Sequence, residues 1–325
     1  MNSVKVSVVI PTYNRKDLLK KTLKSLFNQT YPQDKYEVIV CDDNRTKDGT
    51  EEMVKTLMRD APCELRYFKV RKIGISAARN IGIENARGEI VGFTDDDCVV
   101  SSTWIEAAKK YFDDKKISGV AGMTLPLKKN EEKSLFTIVQ TREFKEEGDY
   151  AACNIFYRKK ALVEVGGFNE EFVMAREDAD LALRLKEKNY KISFGKDLIV
   201  YHAVITKPII PYLKSLKRRK YEVLFLREHP ESEAKKDLIL GFINKRHVYP
   251  IFFVLFITFL MINIIYACIF LLFGVLSYLW AYVFIDSDVK KYPLRIILFI
   301  RHFIPDLIRL YYTIRGSIRY RCLFI

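Results

Sequence analysis

Paired cysteines are missing from this chain. Its six cysteines (41, 63, 98, 153, 268 and 322) are scattered, and no two stand at C-x-x-C spacing. That excludes a zinc ribbon and a disulfide framework, and it suits a reducing compartment. Histidine is scarce too. His229, His247 and His302 lie in or beside basic stretches and form no ligand cluster, which leaves His202 to consider. The first apolar run continues as VIPTYNRKD, without a glycine, so a glycine-rich phosphate loop is excluded there. There is no internal repeat and no low-complexity tract. Met1–Lys5 leads directly into a strand pattern with no apolar segment behind a basic start, so no cleaved secretion signal is expected.

Charge is absent from one long stretch. Residues 248–285 hold 38 positions without Asp, Glu, Lys or Arg. As one helix this would run to about 57 Å, nearly twice a ~30 Å hydrocarbon core. Two spans of about 18–19 residues, turning near Asn263–Ala267, fit better, with a single tilted span or a re-entrant hairpin as alternatives. Lys245 and Arg246 precede the stretch, and Lys290, Lys291 and Arg295 follow it. Positive charge on both sides implies that both ends face the cytoplasm. Tyr212–Arg227 and Leu294–Ile314 interleave basic and apolar residues and resemble in-plane interfacial helices.

The net charge of +14 is unevenly spread. After residue 206 there are 19 Lys/Arg against 8 Asp/Glu, a net of +11; residues 1–206 hold 35 against 32, a net of +3. Basicity beside an apolar block points to an anionic membrane surface as partner rather than nucleic acid. The expected organisation is a domain over 1–206, basic amphipathic helices over 207–247, a transmembrane hairpin over 248–285 and a basic amphipathic tail over 286–325.

The first hundred residues alternate strand and helix patterns. Val6–Ile10, Tyr36–Cys41, Leu65–Phe68 and Ile90–Phe93 read as strands, with helical spacing over Asp17–Gln29, Thr50–Met58 and Ser76–Ala86. This predicts a helix-covered parallel sheet. Further on, Gly119–Met123, Ala151–Phe156 and Leu198–His202 read as strands, and Lys159–Val165 and Asp178–Lys188 as helices. The strand at Ile90–Phe93 runs into Asp95-Asp96-Asp97. Three adjacent anions repel one another unless a cation sits among them. A hard divalent ion on one or two carboxylates completes its shell with substrate phosphates. The triplet therefore predicts a metal–diphosphate site at the carboxyl edge of the sheet.

VSVVIPTYNR (Val6–Arg15), CDDNRTKDGT (Cys41–Thr50), GISAARNIGIENARGEIVGFTDDD (Gly74–Asp97), VGGFNEEF (Val165–Phe172) and REDADLALRL (Arg176–Leu185) together resemble the family 2 glycosyltransferases, over roughly residues 4–205. Each piece is weak alone, and five in this order are specific. The resemblance implies the α/β fold called GT-A, a mixed, mostly parallel sheet flanked by helices. It implies that the loop after the first strand, Pro11-Thr12-Tyr13, lies against the nucleotide. Asp42 or Asp43 would accept hydrogen bonds from base or ribose. Asp-Asp-Asn-Arg stands here where many relatives have Asp-Asp-Gly-Ser, which leaves the base open. Asp95, Asp96 and Asp97 match the family's DxD. Asp97 is expected to bind Mg²⁺ or Mn²⁺, and Asp95 to touch the ribose or the metal shell. Asp96 is expected among the donor-binding residues, and Arg79 to approach the donor. His202 falls where some relatives place a histidine near the metal. Glu177-Asp178 stands where the family keeps its general base, with Asp178 the first choice and Glu177 the second. Gly166-Gly167-Phe168 would form the turn that delivers this segment. A Q-x-x-R-W motif, the mark of processive synthases, is absent: the tryptophans are Trp104 and Trp280.

The expectation is therefore a membrane-anchored inverting glycosyltransferase with a cytoplasmic catalytic domain. It would add one sugar from a nucleotide-sugar to a lipid-linked or cell-envelope glycan. The competing readings are an inactive membrane scaffold and a sugar nucleotidyltransferase.

Overall fold

The computed structural model describes residues 4–43, 45, 47–127, 137–140, 143–146, 148, 150–232, 238–239, 243–244, 247–260, 262, 264–278 and 295–323. The chain divides into two units. One comprises 1–133 and 139–206; the other comprises 134–138 and 207–325.

In the first unit the elements are β1 (Val6–Thr12), α1 (Lys16–Phe27), β2 (Tyr36–Asp43), α2 (Thr50–Leu57), β3 (Glu64–Val70), α3 (Ile75–Asn85), β4 (Ile90–Phe93), β5 (Cys98–Val100), α4 (Trp104–Tyr111) and β6 (Ile117–Pro126). After β7 (Thr137–Gln140) come β8 (Ile155–Arg158), α5 (Lys159–Glu164), α6 (Glu177–Glu187) and β9 (Lys191–His202). Eight strands form one sheet in the order β3-β2-β1-β4-β8-β6-β9-β5. β3, β2, β1 and β4 run parallel, and β8 runs antiparallel to both β4 and β6. β9 pairs parallel with β6 and antiparallel with β5.

The unbroken apolar run of β1 follows from its place in the middle of the sheet, covered on both faces. Val6, Val8 and Ile10 pack with Leu19, Leu23, Val54 and Trp104 on one face. Val9 packs with Ala77, Ile83 and Leu181 on the other. This is the period-two alternation of a strand with a core on each side. β1 has β2 on one side and β4 on the other, so the strand order reverses there. Open α/β sheets place their ligands at the carboxyl ends of such a switch point.

Three readings of the sequence shift. β1 continues through Pro11 and Thr12, so buried Pro11 lies in the strand and not in the loop after it. The strand expected at Ala151–Phe156 begins at Ile155, because Ala151–Asn154 makes a turn closed by Asn154 N–H on the Ala151 carbonyl at 3.0 Å. β9 is 12 residues long, starting well before Leu198, with a register shift opposite Gly122/Met123 that hides its alternation.

The second unit holds α7 (Ile209–Ser215), α8 (Lys220–Glu228), α9 (Val248–Leu260), α10 (Ile264–Tyr278) and α11 (Arg295–Tyr320), with β10 (Ile205–Pro208) leading into α7. A short antiparallel pair, β11 (Leu238–Ile239) and β12 (Ile243–Asn244), precedes α9. The amphipathic segment expected over Tyr212–Arg227 is split by a 3₁₀ turn at Leu216–Arg219. α8 buries Tyr221 and Val223–Leu226 and packs on α11. Asp306 of α11 is fully buried and accepts hydrogen bonds from Arg309 and, at 2.9 Å, from the Tyr249 hydroxyl; Arg309 also donates to the Tyr212 hydroxyl at 2.6 Å.

The stretch read as a pair of transmembrane spans is described in part, as two helices. α9 has 13 residues and α10 has 15. At 1.5 Å per residue the described stretches reach about 20 and 23 Å, against a ~30 Å hydrocarbon core. Among the described residues no helix is long and apolar enough to cross a membrane. The first helix ends in a turn at Ile262, whose N–H donates to the Phe259 carbonyl at 3.0 Å, and α10 begins at Ile264. The far end of the predicted hairpin, 279–285, and the flanking Lys245, Arg246, Lys290 and Lys291 lie outside the described residues.

Candidate active site

The parallel register of β2, β1 and β4 brings three chain segments to one sheet edge: Asp42–Asp43, Thr12–Arg15 and Asp95–Asp97. β5 then pairs with the end of β9, setting Cys98 opposite His202 and so His202 beside Asp97.

The three aspartates are all buried and have different partners. Asp96 is held on both oxygens. Thr12 Oγ1 donates to Oδ2 at 2.8 Å, and Arg15 Nη1 donates to Oδ1 at 3.0 Å. Burial, reinforced by neighbouring Asp97 and opposed by Arg15, pushes the Asp96 carboxyl up to about 7. Asp97 Oδ2 accepts from the same Arg15 Nη1 at 2.9 Å. Asp97 Oδ1 is buried without a hydrogen bond and lies 3.2 Å from His202 Nε2. The distance allows contact, but the geometry is not that of a hydrogen bond. Asp95 Oδ1 turns the other way and accepts from Arg79 Nη2 at 3.0 Å.

Arg79 does not project toward the site opening. It is 2% exposed, stacked over the Phe168 ring, with Nη1 donating to Glu177 Oε1 at 2.8 Å. Gly82, one turn further along α3, explains this depth: a Cβ there would come within 2.2 Å of Val9. Only glycine lets α3 lie so close to β1. The guanidinium thus ties the acidic triplet to the first turn of α6, joining residues 16 and 98 positions away in sequence. Gly166 and Gly167, with φ of 77° and 69°, turn the chain toward this segment, and Arg176 enters α6 in the left-handed region at φ 71°.

Glu177 and Asp178 differ in access. Glu177 is buried, and burial together with the Asp178 charge raises its carboxyl above the usual range; Oε2 has no partner. Asp178 is half-buried. Its Oδ1 accepts from the Ala179 N–H at 2.8 Å, and its Oδ2 accepts a long bond of 3.4 Å from Ala152 N–H.

Asp42 is buried and accepts from the Tyr67 hydroxyl at 2.7 Å. Asp43 is gripped by Arg45 through Nε at 2.8 Å and Nη2 at 2.6 Å, and the Arg45 guanidinium lies 5.0 Å from the centroid of the exposed Tyr13 ring. Thr12, read with Pro11 and Tyr13 as lying against the nucleotide, holds Asp96 instead, and Arg15 is the residue that reading the sequence missed. The available signal was charge: three adjacent carboxylates demand cations, and Arg15 stands in the same loop as Tyr13.

A divalent cation fits the Asp97–His202 pair. His202 Nδ1 lies 2.9 Å from the Ala203 carbonyl, an atom that can only accept, so Nδ1 carries the proton. In the neutral ring Nε2 then presents a lone pair to the unpartnered Asp97 Oδ1. Two acceptors face each other, and a cation ligated by both resolves the conflict. Cys98 Sγ is within 4.8 Å of these atoms, but burial holds its thiol well above the ordinary range. A neutral thiol is a poor ligand for a hard ion, so carboxylate and imidazole are the suitable donors. A cavity of about 200 Å³, bordered by Lys21, Asp97, Leu127 and Val204, opens beside them. A surface depression of about 800 Å³ near Tyr36 and Glu64 lies at the amino edge of the sheet, away from this chemistry.

The sequence model for Glycosyl transferase family 2 matches residues 7–166. Glycosyltransferase AglE of Haloferax volcanii is 30% identical over 220 residues, covering 66% of this chain and 70% of that protein. The chain belongs to glycosyltransferase family 2. As a family 2 glycosyltransferase it takes its sugar from a nucleotide-sugar, and the inactive-scaffold and nucleotidyltransferase readings fall away. The GalNAc(5)-diNAcBac-PP-undecaprenol beta-1,3-glucosyltransferase of Campylobacter jejuni is 41% identical over 95 residues, 29% of each chain. Among solved structures, the mannosyltransferase PcManGT of Pyrobaculum calidifontis, in complex with GDP-Man and Mn²⁺, superposes with a TM-score of 0.59 at 17% identity. The match covers 98% of this chain and 87% of that one and establishes the GT-A-like fold of this family 2 enzyme.

Proposed function

We propose that this glycosyltransferase is an inverting hexosyltransferase, adding one sugar to a lipid-linked acceptor of the polyprenyl-phosphate type or to a related cell-envelope glycan. The observation that carries the reading is the Asp95–Arg79–Glu177 bridge, which sets the acidic triplet next to the base-bearing turn of α6. Asp97 and His202 would hold Mg²⁺ or Mn²⁺, with Asp95 close to that end of the site. The ion, when bound, neutralises charge growing on the departing diphosphate. Tyr13, Asp42 and Asp43 line the edge where the nucleoside would rest.

Asp178 is the general base. The acceptor hydroxyl oxygen forms a bond to the anomeric carbon as the bond from that carbon to the diphosphate oxygen breaks. The hydroxyl proton passes to Asp178. Glu177 is the weaker choice because it is enclosed and already bonded to Arg79. Attack from the face opposite the leaving group inverts the centre.

A lipid-linked acceptor is supported by the Campylobacter relative, whose name specifies a PP-undecaprenol substrate. It is supported independently by the second unit. Ile257, Ile264, Ile265 and Leu272 of the α9–α10 hairpin are all more than half exposed. Such a hairpin suits insertion into a bilayer, as a spanning or a re-entrant pair. The basic residues of this unit suit an anionic leaflet such as the cytoplasmic one, and on that reading the catalytic unit works from the cytoplasmic side.

The test is Asp178→Asn. Transfer from the nucleotide-sugar to a polyprenyl-linked acceptor should fall by about a hundredfold or more, the size of a lost general base, while donor binding and the melting temperature stay close to wild type. Unimpaired transfer would remove Asp178 from this role, and equal turnover of a lipid-free acceptor would remove the lipid.

A further inference from the structure

We propose that Arg15 is a clamp for the donor's diphosphate, sharing Asp97 with the divalent ion. The inference rests on the nucleotide-sugar reading above and adds a residue to it.

Two arginines reach the acidic triplet, and they are built differently. Arg79 is enclosed and spends two nitrogens on two carboxylates from different elements. Arg15 stands where the loop after β1 meets α1, and its side chain is 39% exposed. It uses a single nitrogen, Nη1, for both Asp96 at 3.0 Å and Asp97 at 2.9 Å. A guanidinium carries five N–H donors. Those on Nε and Nη2 bond no protein atom among the described residues. Asp96 is itself pinned by Thr12, so the anchored nitrogen is fixed at the site while the rest of the fork keeps free donors and partial access to solvent.

Asp97 is divided between two roles. Oδ2 holds Arg15, and Oδ1 is the orphaned oxygen facing His202. A cation on Oδ1 and the guanidinium on Oδ2 would flank one carboxylate. Two neighbouring positive centres suit the two phosphates of a nucleoside diphosphate, and a planar fork binds phosphate oxygens in pairs where a lysine offers a point charge.

The arrangement makes a prediction of opposite signs. Arg15 repels a metal ion at Asp97 and attracts a diphosphate. In Arg15→Gln, Mn²⁺ alone, followed by its EPR signal, should bind about threefold tighter or more, because a competing cation has left the carboxylate. UDP or GDP, titrated calorimetrically at saturating Mn²⁺, should bind about tenfold weaker or more, the loss of charge-assisted bonds to phosphate. Uridine and guanosine should change by less than about twofold, since they lack the phosphates. Arg15→Lys keeps the charge without the fork, so its Mn²⁺ affinity should match wild type while its diphosphate affinity falls. Should Arg15→Gln fail to fold, the diphosphate affinity of Arg15→Lys decides: a loss supports the clamp and wild-type affinity overturns it. A joint weakening of metal, nucleoside and diphosphate would mean a structural role and overturn the proposal. Wild-type protein that bound neither UDP nor GDP with Mn²⁺ would overturn the donor reading itself, a result distinct from a clamp that fails alone.

Discussion

Arg79 shows how one buried charge organises this enzyme. Its guanidinium satisfies Asp95 and Glu177 at once, far from water. Removing one partner of a buried ion network leaves uncompensated charge behind, at a cost of about 3–5 kcal/mol. Arg79→Met should therefore lower the unfolding free energy by about 3 kcal/mol or more in urea titrations, and sugar transfer should be lost with it. A change below about 1 kcal/mol would show that the carboxylates find other partners or protonate without cost. Buried thiols give a second expectation at this scale. Burial pushes Cys41 up to about 12 and Cys63 up to about 11, from an ordinary 9.0. The folded state thus favours the protonated thiols. Their contribution is complete below pH 9.0, where both states hold the proton, and is lost as pH climbs toward about 11 and about 12. Stability measured by chemical denaturation should decline over that window, and Cys41→Ala, Cys63→Ala should flatten the decline. The sequence offered the carboxylates and His202 as candidates because motif and chemistry agreed, and the structure brings His202 to Asp97. Arg79's destination was not, since nothing in local spacing shows that a helix residue is sunk between two distant carboxylates.

Elements were legible where one periodicity ruled. The strands β1 to β4 and helices α1 to α3 follow apolar patterns undisturbed by irregularity. β5 and α4 were missed, because three residues of strand and two turns of helix carry too little pattern. The uncharged stretch 248–285 was read as a helical hairpin from apolar content alone, and its described part holds helices of 13 and 15 residues. α11 carries the sharper signal. Ile304, Leu307, Tyr311, Ile314 and Ile318 stand exposed at helical spacing, with Arg315 and Arg319 exposed beside them. An apolar stripe edged with arginine suits a membrane interface. The protein should sediment with vesicles containing phosphatidylglycerol, and much less with neutral ones. Tyr311→Asp with Ile318→Asp should cut vesicle binding about tenfold or more by removing buried apolar area and adding repulsion, without changing donor affinity. Unaltered vesicle binding would exclude α11 as the contact.

At the scale of the molecule, a family 2 catalytic unit of near-neutral charge is joined to a strongly basic, apolar-faced unit. The first accounts for the reaction, and the second, on the reading proposed above, for where it happens. The fold of the first was readable because five motifs fell in family order. The wiring among them was not, because Arg15, Arg79 and His202 reach the triplet through sheet register and helix depth rather than through sequence proximity. The central claim is that Asp97, turned toward His202, holds the divalent ion on which the nucleotide diphosphate settles. Calorimetric titration of UDP-sugars and GDP-sugars into wild-type protein and Asp97→Asn, each with and without Mn²⁺, tests it most directly. The account predicts that wild type binds one donor class about tenfold or more tighter with Mn²⁺, and that Asp97→Asn loses this enhancement while remaining folded. Donor binding that ignores Mn²⁺, or that survives unchanged in Asp97→Asn, would contradict it.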